Sequence, residues 1–159
     1  HAVLRKPDRM VLIDETGAEL ETIKQDRAKG MLVLAGLGVG KKVEDLTYLL
    51  EAAPALKPQV SEAEWVGNRR WNLTFKTGQV LALPEGSDKA AGALLSFARM
   101  DGVNRLLGGK VAAFDMRAPD RIYMRVPGHA EEVAAEKRLV DQAKAEARRA
   151  KAATKTDEG

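Results

Sequence analysis

RRWNLTFKTGQVLALPEG, residues 69–86, is the stretch of sequence that decides the fold. Its first half places Trp71, Leu73 and Phe75 at every second position, which predicts a strand with one buried face. The tripeptide KTG then closes a hairpin onto a second strand, QVLAL. We expect Trp65, just upstream, and the aromatic residues of this hairpin to lie in the core, because aromatic side chains at a period of two normally face the interior.

A helix and a second hairpin follow on the carboxyl side. Residues 87–102 begin with a Ser-Asp pair that can cap a helix and carry alanine and leucine at helical spacing, so they predict a helix. Two strands are predicted at residues 111–116 and 121–126. Asp115 and Arg117 lie two apart on one face of the first of these strands, and the simplest interpretation is that their side chains support each other.

The last predicted strand places Arg121, Tyr123 and Arg125 on one face and apolar residues on the other. Such an outward row can keep unwanted strands away from a sheet edge, but arginine and tyrosine are also frequent at protein interfaces. Composition alone leaves these two interpretations equally open.

The remaining segments complete the predicted organisation. The upstream elements are strands at residues 10–14, 19–23 and 60–66, a short strand or extended segment at 31–35, and a helix at 43–53. Residues 129–159 hold seven basic and seven acidic residues and few large apolar ones, which predicts a solvated helical or disordered tail. The predicted fold class is therefore α+β, with a mostly antiparallel curved sheet, two flanking helices and a charged C-terminal helical tail.

The composition narrows the classes of function. The chain has no cysteine, and its two histidines, His1 and His129, are far apart, so disulfides, thiol catalysis and a metal cluster are not expected. GLGVGKK departs from a phosphate-binding loop at Ala35 and Lys42, so we interpret it as a glycine-rich connection before a helix. We find no motif of a catalytic nucleophile and expect neither enzyme activity nor a cofactor.

Charge and hydropathy bear on the location of the protein. The net charge of +3 comes from 26 basic and 23 acidic residues interspersed along the chain, so no nucleic-acid-binding stripe is evident. No run approaches the roughly 18 apolar residues that a membrane helix requires, and no signal peptide opens the chain. We therefore expect an internal fragment or a processed product of a longer protein.

The ordered combination of these stretches resembles the extracytoplasmic β domain of the bacterial cell-division family FtsQ, called DivIB in Gram-positive bacteria. That family has R-x-W before an alternating strand, then a helix, then D-L-R and a closing strand. The matching residues are RRW at 69–71 and DMR at 115–117. MVLIDETG, at residues 10–17, is similar to the first hairpin of the family. The resemblance covers about residues 10–126 and is strongest to alphaproteobacterial members.

The resemblance implies a domain organisation and a location. Residues 1–9 would be the remnant of an upstream POTRA domain, residues 10–128 the FtsQ-type β domain, and residues 129–159 the tail. The full-length protein would cross the inner membrane once and hold this domain in the periplasm at the division septum. Members of the family are non-enzymatic scaffolds that join FtsB and FtsL and help to control septal cell-wall synthesis by FtsW and FtsI, which would be indirect partners.

The resemblance also implies a mechanism, in which a strand of FtsB adds to the exposed edge of the last strand. The two family arginines that meet acidic partner residues match Arg69 and Arg117. The expected partner-binding residues are Arg69, Arg117, Ala118, Arg121, Tyr123 and Arg125. Ala118 departs from the family, where an aromatic residue often follows D-L-R. Either the affinity is lower here, or Tyr123 supplies the aromatic anchor.

Two other classes of function stay open on the sequence. A POTRA-linked module for membrane assembly or secretion would also bind by strand addition, and it should show POTRA repeats upstream rather than one membrane span. A weakly basic domain can bind nucleic acid, which a salt-dependent titration would detect. An enzyme ranks last.

Overall fold

The computed structural model describes residues 1–118 and 121–127. Nine strands and two α-helices make up this part of the chain. In chain order they are β1 (Ala2–Arg5), β2 (Met10–Ile13), β3 (Glu19–Ile23), β4 (Val33–Ala35), α1 (Val43–Glu51), β5 (Val60–Val66), β6 (Arg70–Phe75), β7 (Val80–Ala82), α2 (Ser87–Asn104), β8 (Ala113–Asp115) and β9 (Tyr123–Arg125). Short 3-10 helices at Val39–Lys42 and Lys57–Gln59 flank α1.

All nine strands belong to one mixed sheet in the order β3-β2-β1-β4-β5-β6-β7-β8-β9. The pairs β1–β4, β4–β5 and β7–β8 are parallel, and the other five are antiparallel. The prediction of a mostly antiparallel sheet is therefore not confirmed, whereas the α+β class is. The parallel pairs β4–β5 and β7–β8 arise because a helix connects their strands, and a helical crossover returns the chain in its original direction.

The two helices pack on one face of the sheet and enclose the main hydrophobic core. Helix α1 contributes Val43, Leu46, Leu49 and Leu50, and α2 contributes Ala90, Ala91, Leu94 and Phe97. The Phe97 ring lies 5.6 Å from the Phe75 ring and 4.9 Å from the Phe114 ring, which joins α2 to β6 and β8. Trp65, Trp71 and Phe75 are all buried, as predicted.

The opposite face of the sheet is covered only in part by described residues. Around β1, Val3, Ile23 and Ala28 form a small second cluster beneath the turns that follow β3. From β5 to β9, this outer face carries the alternate residues that point away from the helices. These include Glu64, Asn72, Ala82, Asp115 and Tyr123, which are aligned across five neighbouring strands.

The glycine-rich segment before α1 is a connection, as interpreted from the sequence. Gly36 has a φ of 108°, and a Cβ at this position would lie 2.2 Å from the backbone oxygen of Trp65. Only glycine fits both the dihedral angle and the close approach. The segment thereby takes the chain from the end of β4 into the turn that begins α1.

Most predicted elements are present, with differences at their ends. β1 was not predicted, yet it lies between β2 and β4 in the sheet. The strands predicted at 111–116 and 121–126 are shorter, at Ala113–Asp115 and Tyr123–Arg125. The predicted tail, residues 129–159, lies outside the described residues. Within the described part, no helix combines the length and the apolar character needed to cross a membrane.

Candidate protein-binding edge and groove

Strand β9 forms one edge of the sheet. It pairs with β8 in antiparallel register, with Arg125 opposite Ala113 and Tyr123 opposite Asp115. Between them, Met124 is 7% exposed and packs into the main core. Tyr123 and Arg125 point to the outer face and are exposed, as predicted. The strand is thus held by its pairing with β8 and by one buried methionine.

The backbone of β9 presents hydrogen-bonding groups away from β8. The carbonyl oxygen of Arg125 accepts a hydrogen bond from the Ala112 amide at 2.6 Å, so the backbone groups of Arg125 and Tyr123 face β8. The direction of N–H and C=O alternates along a strand. The N–H and C=O of Met124 therefore face the free edge. Among the described residues, no other strand pairs with them.

A groove of about 370 Å³ lies where β9 begins. We call it the β9 groove, and its lining residues are Arg69, Arg70, Glu85, Asp115, Arg117, Ala118 and Tyr123. Four of the six predicted partner-binding residues are among them, namely Arg69, Arg117, Ala118 and Tyr123. Arg121 and Arg125 lie outside this lining, although Nη1 of Arg121 is 3.2 Å from the Tyr123 hydroxyl.

A tight turn places Arg69 at the groove. Gly67 and Asn68 both have positive φ angles, 60° and 57°, which is the signature of a type I′ hairpin turn. The Trp65 indole donates a hydrogen bond to Oδ1 of Asn68 at 2.9 Å and fixes this turn to the core. Nε of Arg69 lies 4.0 Å from Oε2 of Glu85, and both side chains are largely exposed. Arg69 is therefore only loosely held by this contact.

Arg117 is bound much more tightly, by Asp115. Nε of Arg117 lies 2.9 and 3.0 Å from the two carboxylate oxygens, and Nη2 lies 2.6 Å from Oδ2. The backbone amide of Arg117 also donates to Oδ1 at 3.0 Å. These bonds lower the pKa of Asp115 and raise the pKa of Arg117. The predicted mutual support of the two side chains is confirmed.

Arg70 is a groove residue that the family match did not select. Its Nη1 donates to Oδ1 of Asn72 at 2.7 Å. Partial burial, and then the positive charge of Arg117, lower its pKa. The doubled arginine in RRW was the signal for it, but the family pattern specifies only the first. The groove thus holds three guanidinium groups against two carboxylates, those of Glu85 and Asp115.

The described residues contain no group of three or more histidine, aspartate or glutamate side chains that could hold a metal ion. The groove carries a net positive charge, and beside it lie the exposed ring of Tyr123 and the outer backbone edge of β9, with which no strand of residues 1–118 pairs. This combination suits the recognition of an extended acidic segment of another protein.

Comparison with known proteins identifies relatives of the chain. Residues 2–117 match the family model described as cell division protein FtsQ/DivIB, C-terminal. "Cell division protein FtsQ" of Novosphingobium aromaticivorans is 84% identical over 159 residues, which is 100% of this chain and 49% of that protein. The protein of the same name from Zymomonas mobilis is 38% identical over 118 residues, covering 74% of this chain and 37% of that protein.

A third relative has the same name and comes from Bradyrhizobium diazoefficiens. It is 33% identical over 125 residues, covering 79% of this chain and 36% of that protein. The chain therefore spans about half the length, or less, of these curated relatives. The family match ends at Arg117, so it includes Arg69 and Asp115 and stops before β9.

Proposed function

Since the chain belongs to the FtsQ/DivIB family of cell-division proteins, we propose that it is a non-enzymatic scaffold that binds FtsB, together with FtsL, by strand addition to β9. FtsW and FtsI would be reached indirectly, through FtsB and FtsL. The intact protein would be held in the inner membrane by one span, with this domain in the periplasm at the septum.

The observation that carries the proposal is the free edge of β9. An incoming strand would hydrogen-bond to the N–H and C=O of Met124, which face away from β8. The buried side chain of Met124 holds the template in place before the partner arrives. Such preorganisation favours binding, because the edge does not have to be ordered at the moment of association.

The charges of the β9 groove would set the orientation and the choice of partner. Arg69 is largely exposed, and two nitrogens of Arg117 are already used by Asp115. Arg69 is therefore the more available cation for an acidic partner residue, and Arg117 would offer its remaining Nη1. A charge-assisted hydrogen bond contributes on the order of 1–3 kcal/mol when it is partly shielded from water.

Ala118 and Tyr123 both line the groove. Ala118 stands where the family often has an aromatic residue after D-L-R, and Tyr123 lies close enough to take its place. Alanine at position 118 leaves space that a larger side chain would fill, and Tyr123 is 39% exposed beside it. Tyr123 would then supply the aromatic contact, and a partner side chain would occupy the space over Ala118. In this way the affinity for FtsB can be retained although the aromatic side chain comes from position 123 rather than from position 118.

The division into residues 1–9, 10–128 and 129–159 stays a prediction. Ala2–Arg5 is strand β1 of the same sheet, where it pairs with β2 and β4.

The decisive experiment measures binding of the periplasmic part of FtsB by isothermal titration calorimetry. Val126→Pro removes an N–H that follows β9 and, by the same alternation, faces the free edge. Val126→Ala keeps that N–H and removes only side-chain packing. We expect the proline variant to bind at least about tenfold more weakly than the alanine variant, since one interstrand hydrogen bond is lost and the proline ring obstructs pairing.

Charge reversal tests the groove in the same assay. Arg69→Glu should weaken binding roughly tenfold or more, and Lys89→Glu, on the exposed surface of α2, is the matched control. Circular dichroism would verify that each variant is folded. Full affinity in both Val126→Pro and Arg69→Glu would rule out strand addition at β9.

A further inference from the structure

The sheet has a second free edge, β3, and its chemistry is opposite to that of β9. β3 has the sequence ELETI, and its first four residues are all exposed. Glu19 and Glu21 make this edge acidic, whereas Arg121 and Arg125 make the β9 edge basic. Among the described residues, β3 pairs only with β2.

The backbone of β3 is as available as that of β9. The amide of Asp14 donates to Ala18 at 3.1 Å, so Asp14 faces β3, and by alternation Leu12 and Met10 do too. Their partners across the ladder are Glu21 and Ile23. Thr22, between these partners, therefore directs its N–H and C=O to the free edge.

The β3 and β9 edges are also compatible in strand direction and in the face of the sheet on which their side chains lie. Counting the antiparallel and parallel pairings across the sheet shows that β3 and β9 run in opposite directions. Glu21 and Ile23 lie on the outer face with Val3, and Tyr123 and Arg125 lie on that face too. A second copy, translated perpendicular to the strands, thus places its β3 antiparallel to β9 of the first copy. The helices of both copies then lie on the same side of the joined sheet.

We propose that β3 of one copy adds to β9 of the next, so that this chain associates head to tail with itself. The outward N–H and C=O groups of the two strands can hydrogen-bond to each other when Thr22 of one copy lies opposite Met124 of the next. This register places Glu21 opposite Arg125, which gives an ion pair, whereas Ile23, opposite Tyr123, is already buried within its own chain. Opposite charges on directly opposed residues stabilise antiparallel sheets.

Charge argues against the symmetric alternatives. Pairing β9 with β9 of a second copy brings together Arg121 and Arg125 of both molecules, and pairing β3 with β3 brings together four glutamates. Like charges on adjoining strands are destabilising. The head-to-tail contact joins unlike edges and leaves one free edge of each kind, so it extends into an open chain of copies.

Existing ion pairs on the β3 edge do not prevent this contact. Lys6 lies 2.8 Å from Glu19, and Arg27 lies 3.7 Å from Glu21, but both glutamates keep about half of their side-chain surface exposed. Exposed pairs of this kind contribute little and exchange easily. The Glu21 carboxylate can therefore accept Arg125 of the neighbouring copy.

The proposed contact uses the same β9 edge as the proposed binding of FtsB, so a second copy would compete with that partner. The proposal of self-association and the proposal of FtsB binding can be disproved independently of each other. A change on β3 alters self-association and leaves the β9 edge of the same molecule intact for FtsB.

Sedimentation equilibrium of the whole 159-residue chain tests the inference. The weight-average mass of the native chain should rise with concentration at low salt, and this rise should shrink at high salt. Glu21→Lys and Arg125→Glu, each alone, should weaken the association roughly tenfold, because an attractive opposed pair becomes a repulsive one. An equal mixture of the two variants should regain it, since each then offers the charge that the other lacks.

Glu51→Lys is the matched control, because it makes the same charge change on α1, away from both edges. It should associate like the native chain. A native chain that stays monomeric at every concentration overturns the inference. So does a loss in Glu51→Lys equal to that in Glu21→Lys, or association that Arg125→Glu weakens and Glu21→Lys leaves unchanged, which would mean that β3 takes no part in the contact.

Discussion

At the scale of single residues, Gln79 holds together the part of the molecule that leads to the edge strand β9. It is 5% exposed, and it is the one fully buried polar side chain among residues 1–118 and 121–127. Its Nε2 donates to the carbonyls of Leu106 and Val111 at 3.0 and 2.7 Å. Its Oε1 accepts from the Gly108 amide at 2.7 Å. One side chain thereby fastens the loop between α2 and β8 to the β6–β7 hairpin.

Gln79→Leu should lower the free energy of unfolding by about 2–4 kcal/mol, because buried backbone groups lose their partners while the volume stays similar. Urea denaturation followed by tryptophan fluorescence measures this. Thr77→Val, which removes the hydroxyl that donates to Oε1 of Gln79 at 2.7 Å, should cost less, about 1 kcal/mol. Equal costs for the two variants would contradict the central role given to Gln79.

Asp115 makes the stability of the molecule depend on pH. The pKa of Asp115 is lowered below its ordinary 3.8, first by the side-chain hydrogen bond from Arg117. A carboxylate whose folded pKa is depressed contributes stability that is present above the unfolded pKa and is lost as the pH falls through the folded pKa. The contribution is below about 1 kcal/mol, since Arg117 is open to water.

Asp115→Asn should therefore be slightly less stable than the native chain above about pH 5, and the difference should shrink as the pH falls below 3.8. Thermal unfolding at a series of pH values gives the comparison. A difference that is unchanged down to pH 2 would mean that the Asp115 carboxylate is not the source. Glu85→Gln, which changes the looser groove carboxylate, serves as the control.

At the scale of elements, the connections constrain the fold more than the strands do. Gly36 lets the end of β4 pass against the backbone of Trp65. Gly36→Ala should reduce the free energy of unfolding by roughly 3 kcal/mol or more, because the new Cβ meets backbone that cannot give way. Gly30→Ala is the control, since Gly30 also has a positive φ, 80°, but no atom lies within 4 Å of its Cβ position.

Gly30→Ala should cost only about 1 kcal/mol, which is the penalty of the dihedral angle alone. The difference between the two variants in chemical denaturation isolates the contribution of the close approach. Similar losses in both would show that the Trp65 backbone moves aside.

Local periodicity predicted the elements whose burial alternates strongly. β6 alternates strictly between buried and half-buried residues, and both helices carry apolar stripes, so their positions follow from neighbouring residues alone. β1 was missed because its four residues include adjacent buried positions, Val3 and Leu4, which face different clusters on the two sides of the sheet. Alternation cannot indicate a strand that is covered on both faces.

The pairing of strands and the makeup of the β9 groove were harder to predict. Parallel pairs between β4 and β5 and between β7 and β8 depend on where each helix returns the chain, which lies beyond any local window. The groove unites residues from four separate stretches of sequence. Arg69 and Arg117 were identified through the family pattern and Tyr123 through the alternation of the last strand, whereas the place of Arg70 and Glu85 in the groove became visible only when the strands were placed side by side.

At the scale of the whole molecule, stability is unevenly distributed across the sheet. β5 and β6 lie at its centre, share the longest ladder, and carry the fully buried Trp71 and Leu73. β3 and β9 lie at its two ends, and each has pairing on one side only among the described residues. β3 and β9 should therefore open more easily than β5 and β6, since local opening requires least free energy where few buried contacts are lost. The buried side chain of Met124 nevertheless keeps β9 ordered most of the time.

Hydrogen exchange of single amides, measured by NMR, tests this distribution and the proposed role of the β9 edge together. In the unbound chain at low concentration, the amide of Leu73 should exchange slowest, at rates set by global unfolding. The amide of Met124 should exchange fast although its side chain is buried, because its N–H faces the free edge. Those of Tyr123 and Arg125 should be intermediate, because they face β8. Addition of FtsB should slow Met124 far more than Leu73. Strong protection of Met124 without any partner would mean that another part of the chain already pairs with β9, and strand addition at this edge would then be excluded.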